Sequence, residues 1–151
     1  MVISLDQQLV KQIEDICSAR GVRLTTQRKR VFELICASAK ASSAYELLEE
    51  LKQSEPQAKP PTVYRALEFL LEQGFIHRVE STNSYIQCVS CNAHKHFSQL
   101  LICDECGSVI ELQDDNLIAS LTKNAEKHGF AINNHVIESH GTCQACISGK
   151  N

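Results

Sequence analysis

Pro60-Pro61-Thr62-Val63-Tyr64-Arg65-Ala66-Leu67-Glu68-Phe69-Leu70-Leu71-Glu72-Gln73-Gly74 runs directly into Phe75-Ile76-His77-Arg78-Val79-Glu80, and Tyr85-Ile86-Gln87-Cys88-Val89 follows after Ser81-Thr82-Asn83-Ser84. Prolines suit the first turn of a helix, where their missing N–H groups have no intrahelical partner to lose. A helix is therefore expected from about Pro60 to Gln73. Val63, Leu67, Leu70 and Leu71 face inward, Tyr64, Arg65, Glu68 and Glu72 face outward, and Gly74 is the stop. The alternating runs 76–80 and 85–89 predict a two-stranded hairpin. Helices closing on such a hairpin describe a winged helix-turn-helix, whose last helix enters the major groove of DNA.

Upstream, Leu5, Leu9, Ile13, Ile16 and Cys17 repeat at helical spacing before Gly21. Thr25 or Thr26 is placed to cap a second helix that buries Val31, Leu34 and Ile35. Ser43 with Glu46 is a capping-box pattern ahead of Leu47, Leu48 and Leu51, closed by Pro56. Downstream, 99–103 and 109–112 read as strands, 114–128 as an amphipathic helix on Leu117, Ile118, Leu121 and Ala125, and 130–137 as another strand. The fold class is thus mixed α/β: a winged helix over residues 1–83, wing end and hinge over 84–95, and a small α+β domain over 96–151.

Length and composition bound the function. The chain has 151 residues, 43% hydrophobic and 22% charged, enough for one domain or two small ones. The longest apolar runs, Leu100 to Cys103 among them, are four residues, far short of the roughly 20 residues that span a membrane. The N-terminus lacks the basic start and apolar stretch of a secretory signal. A cytoplasmic protein with no membrane partner is expected. Residues 1–83 balance 11 basic against 11 acidic side chains, yet Arg20, Arg23, Arg28, Lys29 and Arg30 crowd into a stretch without an acid. Such a cluster is compatible with phosphate contact, and equally with a solvated helix face.

Eight cysteines are many for a reducing compartment, and metal binding is the leading explanation. Cys103-Asp104-Glu105-Cys106 and Cys143-Gln144-Ala145-Cys146 are two C-x-x-C knuckles 36 residues apart. Four thiolates at this spacing close a tetrahedron around zinc with no position open to substrate, so the metal is structural. His77, Cys88, Cys91, His94, His96 and Glu111 are further candidate ligands. Taken together they suggest a site that borrows from both halves, as a sensor would. Cys17 and Cys36 fall at apolar helical positions and read as core. His135-Val136-Ile137-Glu138-Ser139-His140 resembles a zinc-protease motif only loosely, since Ser139 stands where a histidine is required and the segment reads as strand and loop. An enzyme, either a zinc hydrolase or a thiol oxidoreductase, is the competing class. Neither a three-ligand site with a paired base nor a reactive-thiol context supports it.

Leu24-Thr25-Thr26-Gln27-Arg28, Pro61-Thr62-Val63-Tyr64-Arg65-Ala66-Leu67, Ile102-Cys103-Asp104-Glu105-Cys106-Gly107 and Ile137-Glu138-Ser139-His140-Gly141-Thr142-Cys143-Gln144-Ala145-Cys146 together resemble the ferric uptake regulator family, in that order and over nearly the whole chain. Residues 55–67, 69–75 and 79–85 look closer still to its zinc-sensing branch, the zinc uptake regulators. Thr26 stands where the family usually has proline.

The resemblance implies a homodimeric repressor of zinc uptake genes that binds palindromic double-stranded operator DNA, with no small-molecule substrate and no enzymatic activity. It implies two zinc ions per subunit. The structural ion falls on Cys103, Cys106, Cys143 and Cys146, and the regulatory ion on His77, Cys88, His96 and Glu111, with Cys91 and His94 as alternatives. One thiolate, two imidazoles and a carboxylate suit zinc better than iron or manganese. Tyr64 and Arg65 lie on the implied recognition helix, with Thr62 beside them. Tyr45, Arg23 and Arg28 are expected to position the DNA backbone.

Overall fold

A computed structural model of the chain describes residues 5–89 and 98–149. The chain divides into two compact units, Met1–His94 and Lys95–Asn151. The first contains α1 (Leu5–Arg20), α2 (Thr26–Ala37), β1 (Ser42–Ser43), α3 (Ala44–Ser54), α4 (Pro60–Glu72), β2 (Ile76–Val79) and β3 (Ser84–Gln87). The helix boundaries follow from their caps. Thr25 Oγ1 accepts the Arg28 backbone N–H at 3.3 Å, so a threonine starts α2. At α3 the capping box is complete: Glu46 N–H donates to Ser43 Oγ at 3.2 Å and Ser43 N–H donates to the Glu46 carboxylate at 2.7 Å. Pro60 and Pro61 open α4, and Gly74 turns the chain into β2 at φ +75°, a backbone conformation that disfavours side chains.

The three strands form a sheet of order β1-β3-β2, antiparallel throughout. The hairpin expected from alternation is present but shorter, with Asn83 at φ +49° in its turn. β1, two serines with no alternation to betray them, pairs Ser42 with Tyr85 and adds a third strand. β3 is laddered to both neighbours and so belongs to the first unit.

The helices bury their apolar stripes around Phe32 and Phe75, both fully enclosed, whose rings meet edge to face at 6.4 Å. Ile13, Val31, Leu47, Leu51, Val63, Leu67 and Leu70 surround them, and Cys17 and Cys36 lie in the same core. Each such side chain contributes roughly 1.5–3 kcal/mol on burial. This core gives α4 a fixed back, while Tyr64, Arg65, Glu68 and Glu72 remain on its exposed face.

The second unit contains β4 (Ser98–Cys103), β5 (Val109–Leu112), α5 (Asp115–Lys127), β6 (Val136–Gly141) and α6 (Gln144–Ser148). Its sheet has the order β5-β4-β6, antiparallel on one side of β4 and parallel on the other. The strand expected over 130–137 is a correction: β6 begins at Val136 and runs to Gly141. Its position is set by pairing with β4, Ser98 opposite Val136 through Cys103 opposite Gly141, and Phe130 to His135 have no place in that ladder. Asp114 caps α5 by accepting the N–H groups of Asn116 and Leu117. This unit has little core of its own. Among its described residues only Gln99, Leu100, Ile102 and Cys103 are buried; on α5 Ile118 and Ala125 are half-buried, and Leu117 and Leu121 are exposed.

Candidate metal centres and nucleic-acid face

The parallel register of β4 and β6 assembles the first centre. Cys103 ends β4 opposite Gly141, the last residue of β6, so the chain leaving β6 reaches Cys143 beside Cys103. The Asp104 N–H donates to the Gly141 carbonyl at 2.9 Å and seals this junction. The first knuckle is a tight turn in which Cys103 N–H donates to the Ser108 carbonyl and Gly107, at φ +73°, donates back to the Cys103 carbonyl. The second knuckle is the start of α6, with Cys143 as its N-cap and Cys146 one turn on. All four sulfurs lie within 4.8 Å of one another.

Cys106 Sγ and Cys143 Sγ are 3.7 Å apart, far beyond a disulfide's roughly 2.05 Å. Tetrahedral zinc with bonds of about 2.3 Å places its sulfurs about 3.8 Å apart, so the cluster has the dimensions of a zinc–thiolate site. The protonation pattern agrees. The Cys143 backbone N–H donates to Cys103 Sγ at 3.3 Å and is the main reason that this thiol is lowered to about 6. The Ser108 hydroxyl, 3.2 Å from Cys106 Sγ, stabilises the thiolate by hydrogen bonding to it and lowers Cys106. Cys146, hydrogen-bonded to Cys143 and then Cys106, is raised to about 12. Four sulfurs this close cannot all ionise unaided, and a divalent cation is what releases the last proton.

His77 and Cys88 meet in the first unit. His77 lies opposite Ile86 in the hairpin, and Cys88, two residues beyond Ile86, is its diagonal neighbour on the same face. The Cys88 N–H donates to the Phe75 carbonyl at 2.9 Å, which fixes a thiol that is only 1% exposed. A ring nitrogen of His77 and the Cys88 sulfur lie within 4.8 Å, a spacing at which one ion can take both. Glu111 is half-buried on β5 of the second unit, opposite Leu100. The expected ligand His96, with its alternatives Cys91 and His94, lies outside the described residues.

The residues expected at DNA separate into two groups. Tyr45, in the first turn of α3, is 72% exposed, and Tyr64 on α4 is 56% exposed. Arg65 and Arg23 are exposed and Thr62 half-buried. Arg28 differs: its guanidinium carbon sits 3.9 Å from the centre of the Phe69 ring, and Nη1 donates to the Arg23 carbonyl at 2.6 Å.

Against known proteins, the model of the ferric uptake regulator family matches residues 19–140. The chain belongs to the ferric uptake regulator family. It is 52% identical over 141 residues to a zinc uptake regulation protein of Escherichia coli (strain K12), covering 93% of this chain and 82% of that one. Among solved structures it resembles a zinc uptake regulator complexed with zinc and DNA, at 49% identity and a TM-score of 0.94 over 98% of this chain and 99% of that one. It also resembles the holo form of XcZur, at 40% identity and a TM-score of 0.86 over 93% and 98%.

Within this family member, two features carry no signal in the sequence. His140, part of the protease-like motif, shares a 2.9 Å hydrogen bond with Asp104 of the first knuckle and so ties β6 to the cysteine cluster. The partnership of Arg28 with Phe69 joins two different helices, and nothing local announces it.

Proposed function

We propose that this protein is a zinc-responsive transcriptional repressor acting in the cytoplasm as a homodimer, which binds palindromic operator DNA when loaded with zinc and represses zinc uptake genes. The likeness over nearly its whole length to a regulator solved with zinc and DNA carries this reading. The donor sets support it independently. Cys103, Cys106, Cys143 and Cys146 hold a structural zinc, one per subunit, and the closed sulfur shell leaves nothing for catalysis. His77 and Cys88, completed by His96 and Glu111, hold a regulatory zinc, giving two per subunit.

A bound divalent cation neutralises the thiolate and carboxylate charge and holds its ligands at fixed separations. The four regulatory ligands come from the wing of the first unit, the segment after it, and β5 of the second. Occupying them therefore favours one arrangement of the DNA-reading helices of the dimer. Moving such an equilibrium from 1:99 to 99:1 takes about 5.5 kcal/mol of differential binding, well within what zinc ligation provides. The apolar face of α5 with Leu117 and Leu121, together with Ile110, Leu112, Phe130 and Val136, is the surface a second copy covers; large contiguous exposed apolar patches on soluble proteins mark such contacts.

DNA contact follows from the winged helix. Arg65 reads guanine, Tyr64 and Thr62 contact phosphate or a thymine methyl, and Tyr45 and Arg23 hold the backbone. The test is substitution within the regulatory set. His77→Ala and Cys88→Ser each abolish zinc-dependent operator binding yet leave a folded dimer with one zinc per subunit. Normal operator binding by either variant would overturn the assignment.

A further inference from the structure

The cluster from Arg20 to Arg30 has the composition of a phosphate-binding stripe, yet four of its five cations have partners inside the first unit. Lys29 pairs with Glu14 and Arg30 with Glu33. Arg20 Nη1 donates to the Gln73 carbonyl at 2.8 Å and to the Gln73 side-chain oxygen at 3.2 Å, and its guanidinium lies 5.5 Å from the centre of the Phe75 ring. Arg28 stacks on Phe69 at 3.9 Å, with Nη1 committed to the Arg23 carbonyl. Of the five, only Arg23 has no side-chain partner among the described residues.

The positions these arginines grip are not arbitrary. Arg65, Phe69 and Gln73 are spaced i, i+4 and i+8, the spacing of one ridge along a helix. Its first member is exposed for DNA, its second is buried to 8% exposure under Arg28, and its third is the C-cap of α4, held by Arg20. A guanidinium stacked on a ring is attracted by the ring's negative face, and a fork that also donates to a carbonyl is fixed in orientation. A cation at the last carbonyls of a helix also complements its dipole.

We propose that Arg28, backed by Arg20, is a positioning residue for DNA reading: it sets the placement of α4 through Phe69 and makes no phosphate contact. This rests on the reading of the protein as an operator-binding repressor, and it separates Arg28 from Arg23, the phosphate-binding member of the cluster.

The test uses full-length, zinc-loaded protein with two probes: an operator duplex selected by the wild-type protein from a random-sequence pool, and a scrambled duplex of the same length. Affinity for each is measured against salt concentration. Arg28→Ala lowers the operator-to-scrambled affinity ratio about three- to tenfold, the range a stacked guanidinium and ring support, and leaves the salt slope unchanged. Phe69→Leu does the same, and the double variant is no worse than either single one, because both break the same stack. Arg28→Lys, which keeps the charge but not the planar fork, does not restore the ratio. Arg23→Ala flattens the slope by about 0.9 for each phosphate that is no longer neutralised and weakens both duplexes alike.

The proposal is overturned if Arg28→Ala behaves as Arg23→Ala does and Arg28→Lys restores binding. It is equally overturned if Arg28→Ala lowers the unfolding midpoint but leaves the ratio intact, which is a purely stabilising role. A wild-type protein with no operator preference would instead sink the repressor reading. Hydrogen exchange then decides this one: Arg28→Ala must open the amides of 68–73 faster while those of α3 stay protected, and unchanged protection at 68–73 refutes it.

Discussion

Replacing Cys103 with serine removes one sulfur from a unit that has almost nothing else to hold it. Of the apolar side chains described between residues 98 and 149, apart from Cys103 itself, only Leu100 and Ile102 are buried, contributing about 3–6 kcal/mol in all. A four-thiolate zinc contributes on the order of 10–16 kcal/mol, as much as the whole stability of an ordinary domain. Losing even half of that, about 5–8 kcal/mol, matches or exceeds what the two aliphatic side chains supply. Cys103 is also the sulfur that receives the Cys143 backbone N–H, so its loss loosens the second knuckle as well. Hydrogen exchange of the full chain separates the two units. In Cys103→Ser the amides of β4 and β6 exchange as in an unfolded chain, while those of α2 and α4, which pack on Phe32 and Phe75, keep their protection. Wild-type protection of β4 and β6 in a Cys103→Ser protein that carries no structural zinc would refute the reasoning.

Arg65→Ala costs about 1–3 kcal/mol of operator affinity and relaxes preference at the base pair it reads, measured by binding to a panel of single-base operator variants. Ser43→Ala removes the cap of the helix that carries Tyr45 and costs about 1 kcal/mol, which lowers the unfolding midpoint of the first unit by about 4–8 °C in calorimetry. Leu121→Asp places a charge in the exposed apolar face of α5 and shifts the protein towards monomer in sedimentation equilibrium. Operator binding is lost with the dimer, because two half-sites no longer share one protein.

The features legible in the sequence are the local ones. A capping box needs two residues three apart, a C-x-x-C knuckle needs four, and the amphipathic stripe of α4 repeats within a single helix, so Ser43, Glu46, Cys103, Cys106 and Val63 declare themselves. β6 does not. Its residues gain strand geometry from β4, some 38 positions earlier, whereas the apolar run at Phe130 to Ile132 is the stronger strand signal on local grounds alone. β1 is too short for any period, and α6 is a five-residue turn preceded by a cysteine as its N-cap. The basic cluster shows the same limit in charge. Composition cannot distinguish a guanidinium offered to phosphate from one stacked on Phe69, because the ring lies on another helix. Residue type and family resemblance suggest His77 and Cys88 as ligands, but their closeness follows from hairpin register.

In the proposed mechanism, occupancy of a second, regulatory zinc site controls operator binding. The direct test is to follow binding to the selected operator duplex while free zinc is buffered across its range, counting zinc per subunit in the same samples. The account predicts no binding with one zinc per subunit and full binding as the second is taken up. Binding indifferent to zinc, or driven better by iron or manganese, would contradict it.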